Sequence, residues 1–369
     1  MNMYNIPHLS SFIDRYAANN LRSYVAEAEQ MKSLHPAQLA VIYNNHWFNL
    51  FVPGEFGGVA LSLPEGLKIE ESLAWIDGSL GWTVTLCSGA NWFIGFLQQK
   101  TATALFHSDK VCFAGSGRPS GIAKIINNDE YEISGSWQYA TGAAHATAFT
   151  ANCHLEKDGN ILQKEDGTPL IATFIFLRSE VLIQEDWKGI GMIATSSNRF
   201  EVSGLRVDKS RRFEIDENKT VLPAKIYQYP FLQFAESTLA VNISGMSIHF
   251  MDLFEENIKE RKVSDYFTED HRHALFTRNE AAQHKQQEAR EKFYQALQNS
   301  WDEWDDKKHF AAASLENVSQ VSRHLASVSR EIVDEIFPFC GLVASDPQSE
   351  INRVWRNLHT AILHPLLLP

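Results

Sequence analysis

Three short segments carry the residue types that binding chemistry needs. Gly115-Ser116-Gly117-Arg118-Pro119-Ser120-Gly121 sets three glycines and two serines into seven residues. It half-matches a dinucleotide fingerprint, which must follow a strand and open a helix. Pro119 interrupts the run, and Ile122 to Asn128 read as a strand, so that reading is set aside. A plain glycine turn remains, or a loop whose bare backbone lets a ligand come close, with Ser116 as its hydroxyl. In Gly135 to His145, a strand bearing Trp137 and Tyr139 runs into the small turn Ala140-Thr141-Gly142. Core aromatics before an ordinary turn would look like this. So would a flat wall beside backbone N–H groups and one hydroxyl, Thr141, which is what a flavin ring requires. Trp187 to Ser197 ends in the hydroxyl cluster Thr195-Ser196-Ser197, either a strand start or a site for phosphate or adenine.

The ionisable residues are less telling. Most of the 14 histidines read as surface or satisfied core residues, and His145 reads as packing. Arg353 and Arg356 lie three apart, on one face of a helix. They suit surface pairing or a cofactor phosphate. Asp346-Pro347 reads as a helix start, with Asp as N-cap and Pro in the first turn. Cys87, Cys112, Cys153 and Cys340 form no CxxC pair, which removes zinc and dithiol redox sites and leaves buried free thiols.

The elements that must position these segments change period twice. Residues 1–110 read as a helical domain: Pro64 sits in a first turn, and Asp77 caps a helix over Leu80 to Leu97. Residues 111–215 drop toward a period of two, with strands at Ala148 to His154, Leu170 to Leu177, Val181 to Gln184 and Arg199 to Val207. Asp158-Gly159 and Asp166-Gly167 supply hairpin turns, so a small antiparallel barrel or sandwich is expected. Residues 216–369 return to helical spacing, cleanest at Val318, Val321, Leu325, Val328, Ile332 and Ile336. The expected class is α+β, mainly α, with the β-domain set between two helical blocks.

Net charge is 33 − 45 = −12, which excludes nucleic acid as a main partner. Met1 to Ser10 lacks the layout of a secretory leader, and no apolar run approaches the roughly 20 residues of a membrane span. A cytoplasmic protein acting on a small molecule is the expectation.

The ordered set of segments resembles the acyl-CoA dehydrogenase superfamily over nearly the whole chain. Phe51-Val52-Pro53-Gly54-Glu55-Phe56-Gly57-Gly58 looks like its N-terminal P-x-E-x-G-G loop, and Glu70 to Trp82 like the helix pair that follows. The resemblance implies a C-terminal four-helix bundle and homotetramers. It also implies FAD, or FMN, contacted by Ser116, Trp137, Tyr139, Thr141, Gly142, Thr195, Ser196, Arg353 and Arg356. The carboxylate base of the dehydrogenases is not evident, Asp346 being the nearest candidate to its slot. Arg353-Val354-Trp355-Arg356-Asn357-Leu358-His359, with His364 beyond, looks instead like the flavin-dependent monooxygenase branch. That branch implies reduced flavin delivered by a separate reductase, dioxygen, and hydroxylation of an aromatic or small apolar substrate. Thr141 and His364 are then the catalytic candidates, joined by Asn91, which stands where that branch often has a histidine. Asn357 departs from the branch's usual Asp. An acyl-CoA dehydrogenase or a non-catalytic scaffold of the same fold are the competing readings.

Overall fold

The computed structural model describes residues 6–108 and 110–368, apart from the side chains of 305–307. The stretch examined above for a leader therefore begins outside the described residues.

The N-terminal block comprises α1 (Arg15–Ser23), α2 (Val25–Met31), α3 (Pro36–Asn44), α4 (Leu63–Ile76), α5 (Gly78–Asn91) and α6 (Gln99–Leu105). At the start of α4 the Glu65 carboxylate accepts from the Ser62 amide at 3.0 Å, which occupies an otherwise orphaned donor. Asp77 alone separates α4 from α5, and its Oδ1 accepts from the Leu80 amide at 2.9 Å. The expected cap thus forms, and α5 ends at Asn91, giving way to a 3-10 turn over Trp92–Phe96.

The β-region holds β1 (Phe113–Ile125), β2 (Glu130–Ala140), β3 (Ala148–Lys157), β4 (Asn160–Ile161), β5 (Ile171–Leu177), β6 (Leu182–Gln184), β7 (Asn198–Asp208) and β8 (Arg212–Phe213). They form one sheet in the order β6-β7-β2-β1-β3-β5-β8, with β4 beside β3. The pairings are antiparallel except β1 with β3, so the sheet is mixed where a purely antiparallel one was expected. The cause is local. β2 returns along β1, and the connection from Thr141 to Thr147 then crosses to the far edge of β1 and restarts the chain in the original direction. The glycine-rich segment lies inside β1 as an irregular stretch, with the register to β3 slipping between Ser116 and Gly121.

The C-terminal block is α7 (Lys225–Gln228), α8 (Phe231–Glu260), α9 (Glu269–Lys307), α10 (Ala312–Ile336) and α11 (Glu350–Ala361). α8 is buried on nearly every side from Phe234 to Met251, because α4, α5, α9, α10 and α11 all pack on it. Its Gly245 is required by the crossing with α4, where an added Cβ would stand 2.3 Å from the Glu71 carbonyl oxygen. Ser349, not Asp346, caps α11, accepting from the Asn352 amide at 3.3 Å. Asp346 closes a turn one step earlier by accepting from the Gln348 amide.

The apolar interior has two parts. One is continuous through both helical blocks and includes Leu73, Leu80, Met246, Phe250, Leu325 and Ile332. The other lies within the sheet around Trp137, Phe149, Phe174, Phe176 and Phe200.

Candidate active site

Where α5 and α8 meet the first strands of the sheet lies a cavity of about 250 Å³. Leu86, Phe93, Ile215, Phe231, Phe234, Leu239 and Leu366 make its apolar walls. Ser116, Thr141, Asn152, Thr85, Thr238 and His364 supply its polar groups. Ser116, Thr141 and His364, far apart in sequence, are thus brought to one cavity. Phe93 and the Phe231/Phe234 pair were not singled out from sequence. Their signal was an i, i+3 aromatic pair opening a helix just after Pro230, the geometry that turns two rings toward one face.

Among the described residues no carboxylate lines the cavity, and His364 is its one titratable residue. Burial lowers the His364 pKa from its ordinary value, so the ring is neutral at pH 7. Its Nδ1 accepts from the Leu366 amide at 3.3 Å, which places the ring proton on Nε2. The Trp82 ring meets it edge-on at 6.1 Å.

Thr141 heads a chain of hydroxyls whose polarity can be worked out. Thr195 Oγ1 lies 2.8 Å from the Met192 carbonyl oxygen, which can only accept, so Thr195 spends its proton there. Ser197 Oγ, 2.7 Å from Thr195 Oγ1, must therefore donate to it. Thr141 Oγ1, 2.9 Å from Ser197 Oγ, must in turn donate to Ser197. Thr141 is left with lone pairs for the cavity and is an acceptor there. The turn itself is pinned: Gly142 has φ +79° and donates to the Thr195 carbonyl at 2.8 Å. An added Cβ at Gly142 would meet Cys87 Sγ at 2.5 Å.

Ser197 also lines a neighbouring cleft of about 260 Å³ with Gln138, Tyr139, Asp186, Trp187, Lys188 and Gly189. Tyr139 is 64% exposed, takes φ +66°, and meets Trp187 edge-on at 6.0 Å. Ser196 is buried behind this cleft, its hydroxyl accepting from Asn198 Nδ2 at 2.9 Å.

Four expected site residues are elsewhere. Trp137 is wholly buried in the sheet core, stacked on Phe200 at 5.2 Å, with Nε1 donating to the Asn152 carbonyl. Asn91 is a core staple: Nδ2 donates to the Phe48 carbonyl and to Asn49 Oδ1, and Oδ1 accepts from the Phe113 amide at 2.8 Å. With both ends of its amide so committed, it cannot stand in for a cavity histidine. Arg356 is likewise occupied, donating to the Ile190 carbonyl at 2.6 Å and pairing with Glu29 at 3.1 Å, so it ties α11 to the loop before β7 and to α2. Arg353 lies in the field of Asp77 and Glu350 at the foot of α5, not at the cavity.

The arrangement suits a flat, largely apolar group with a few heteroatoms. A fixed acceptor, Thr141, and a neutral imidazole donor, His364, face an aromatic cage, and a second slot between Tyr139 and Trp187 adjoins through Ser197. A flavin fits these donor and acceptor sets.

Fold and cavity together define a protein of acyl-CoA dehydrogenase-like architecture. Residues 237–368 match the family described as acyl-CoA dehydrogenase, C-terminal domain. The oxygenase subunit HsaA, a flavin-dependent monooxygenase of Mycobacterium tuberculosis, is 22% identical over 93% of this chain and 88% of its own. The crystal structure of 3-HSA hydroxylase from Rhodococcus sp. RHA1 superposes with a TM-score of 0.88 at 18% identity, covering 99% of this chain and 94% of that one. XiaF from Streptomyces sp., solved with FADH2 and glycerol, gives 0.85 at 17% identity over 97% and 91%. The chain thus carries a C-terminal match to the acyl-CoA dehydrogenase family and shares its fold with these solved structures, and its curated relative HsaA is a flavin-dependent monooxygenase.

Proposed function

We propose that this protein is the oxygenase component of a two-component flavin monooxygenase, hydroxylating an aromatic or small apolar substrate. The observation that carries the reading is the cavity itself: apolar and aromatic, with Thr141 and a neutral His364 in its wall and, among the described residues, no carboxylate to abstract an α-proton. Bound reduced flavin supplies the electrons that activate dioxygen, one atom of which enters the substrate.

The residues of the chain do the rest. Thr141 Oγ1, its own proton held by Ser197, accepts a hydrogen bond. Reduced flavin has an N–H at its central ring where the oxidised form has a bare nitrogen, so this polarity favours the reduced form. Tyr139 and Trp187 border the slot that takes the rest of the ring system. His364 holds a proton on Nε2 at the cavity wall. Phe93, Phe231 and Phe234 exclude water and offer flat contacts to an aromatic substrate. FAD is the flavin proposed, with FMN the competitor in the same assay. A separate reductase delivers it, and homotetramers, the family's expected assembly, are part of the proposal.

The test is an anaerobic titration of the purified protein with FAD and FMN, each oxidised and reduced. Tighter binding of a reduced flavin, followed by oxygen-dependent conversion of an aromatic compound, is expected. Tight binding of oxidised FAD with turnover of an acyl thioester would replace this reading with a dehydrogenase. Binding of neither form would leave a non-catalytic scaffold.

A further inference from the structure

One wall of the cavity is a face of the sheet, and it holds a hydroxyl that nothing in the fold uses. On β3, Phe149 and Ala151 point into the sheet's own apolar core. Thr150 between them faces the other way, toward α5 and α8, because successive residues of a strand alternate sides. It lines the cavity and is 4% exposed. The polar neighbours on that face are committed to other partners. Asn152 Nδ2 donates to the Gly117 carbonyl at 2.8 Å, and Asn152 Oδ1 accepts from Thr173 Oγ1 at 2.7 Å. The Thr150 hydroxyl has no hydrogen-bond partner among the described residues. The neighbouring strand makes room for it. Gly115 of β1 pairs with Thr150, and an added Cβ there would stand 2.1 Å from Thr150 Oγ1 and 2.8 Å from its carbonyl oxygen. Gly115 does not have a positive φ, so its backbone conformation does not call for glycine; the close approach of Thr150 does.

We infer that Thr150 is a specificity-determining residue, donating its hydroxyl proton to a neutral carbonyl oxygen of the substrate. A buried donor without a partner is tolerated less often than an acceptor with a lone pair to spare, so the proton is what a ligand must satisfy. A carbonyl oxygen accepts it and brings no proton of its own to be placed. A hydrocarbon leaves the hydroxyl unpaired. A carboxylate needs a balancing charge, and among the described residues no cation lines the cavity. The substrate class is therefore a ketone, amide or ester on a small apolar body. This inference rests on the proposed reading of the cavity as the substrate pocket, with the flavin at Thr141 and in the adjoining slot.

The test is infrared difference spectroscopy of the full-length protein, with and without reduced FAD, using acetophenone isotopically labelled at its carbonyl. Ligand-observed NMR titrations with acetophenone, 1-phenylethanol and ethylbenzene accompany it. On binding to the wild type, the carbonyl band should move to lower frequency, because a hydrogen bond weakens the C=O stretch. Acetophenone should bind about tenfold more tightly than ethylbenzene, the scale of one satisfied buried hydrogen-bonding group. Thr150→Val should abolish both the band shift and the preference, and Thr150→Ser should keep both. Ethylbenzene and reduced FAD should bind all three proteins alike, which shows that the pocket is intact. An unshifted band, equal affinities in the wild type, tighter binding of the alcohol than of the ketone, or a shift that survives in Thr150→Val would overturn the assignment. Loss of FAD affinity in Thr150→Val with the ketone unaffected would give the hydroxyl to the cofactor and overturn it too. Failure of the monooxygenase reading shows separately, as a wild type that does not prefer reduced flavin, because the ketone is read without turnover.

Discussion

At the scale of single residues, hydrogen-bond direction carries more information than residue type. Thr141 was legible in the sequence as a hydroxyl at a flavin-like turn, but its polarity depends on Met192, 51 positions away in the chain and seen only in the fold. Ser197→Ala should free the Thr141 proton. The protein's preference for reduced over oxidised flavin should then shrink by about tenfold, the worth of one buried hydrogen bond. Anaerobic fluorescence titration of both redox forms reads this, and an unchanged ratio would refute the derived polarity. A second residue-scale expectation concerns pH. Burial lowers the His145 pKa to about 4, and its Nε2 has no partner among the described residues. The unfolded chain binds that proton near pH 6.5, the folded chain only near 4, so the neutral ring's contribution is complete above about 6.5. It is lost as pH falls from there toward 4. In His145→Gln, denaturant-measured stability should fall less than in the wild type between pH 7 and pH 5.

Elements explain which parts of the site could be read in advance and which could not. The helix–strand–helix order was visible because the apolar period changes from about 3.6 to 2 and back. Asp77 and Pro64 marked their helix starts because capping is local chemistry. Trp137 and Tyr139 were misjudged as partners because they are two apart in one strand and should share a face. The register of β2 on β7 slips between Trp137 and Ala140, and Tyr139 sits at φ +66° inside that irregularity. One ring therefore enters the core and the other turns outward, a switch with no sequence signal of its own. Asn91 was taken for a site residue by position, whereas its burial and four bonding partners come from elements that meet only in three dimensions. The loop before β7 makes a prediction at this scale. It is stitched to α11 by Gly191 N to Thr360 Oγ1 at 3.0 Å, Met192 N to Asn357 Oδ1 at 2.6 Å, and Arg356 to the Ile190 carbonyl. A Cβ at Gly191 would stand 2.1 Å from the Arg356 carbonyl oxygen. Gly191→Ala should push this loop off α11, displacing Met192 and Trp187 together. It should weaken flavin binding by about tenfold or more, on the scale of one or two lost hydrogen bonds, whereas Gly54→Ala, in open space away from both cavities, should not. Equal affinity in the two variants would show that the docking of the loop does not matter to the site.

The whole molecule is held as one piece by a buried charge cluster between blocks far apart in sequence. Glu71 of α4 is wholly buried and accepts from Arg290 Nε at 2.9 Å, Arg290 Nη2 at 3.0 Å, Tyr294 Oη at 2.8 Å and Ser244 Oγ at 2.5 Å. α8 and α9 of the C-terminal block thus close on a carboxylate supplied by the N-terminal one, inside the apolar interior the two share. The cavity lies across the same junction, between α5 and α8, so its shape depends on the blocks staying docked. Replacing such a pair with apolar residues can be neutral, but removing one partner strands a charge. Glu71→Ala should cost about 3–5 kcal/mol by leaving Arg290 buried without its anion. The loss should be shared, because the two blocks have no separate interiors. Hydrogen exchange should accelerate in α4, α5, α8 and α9 alike, with the sheet around Trp137 affected least, since its apolar core is its own. Faster exchange confined to α9 and α10 would mean that the blocks unfold separately and that Glu71 is only a local tie.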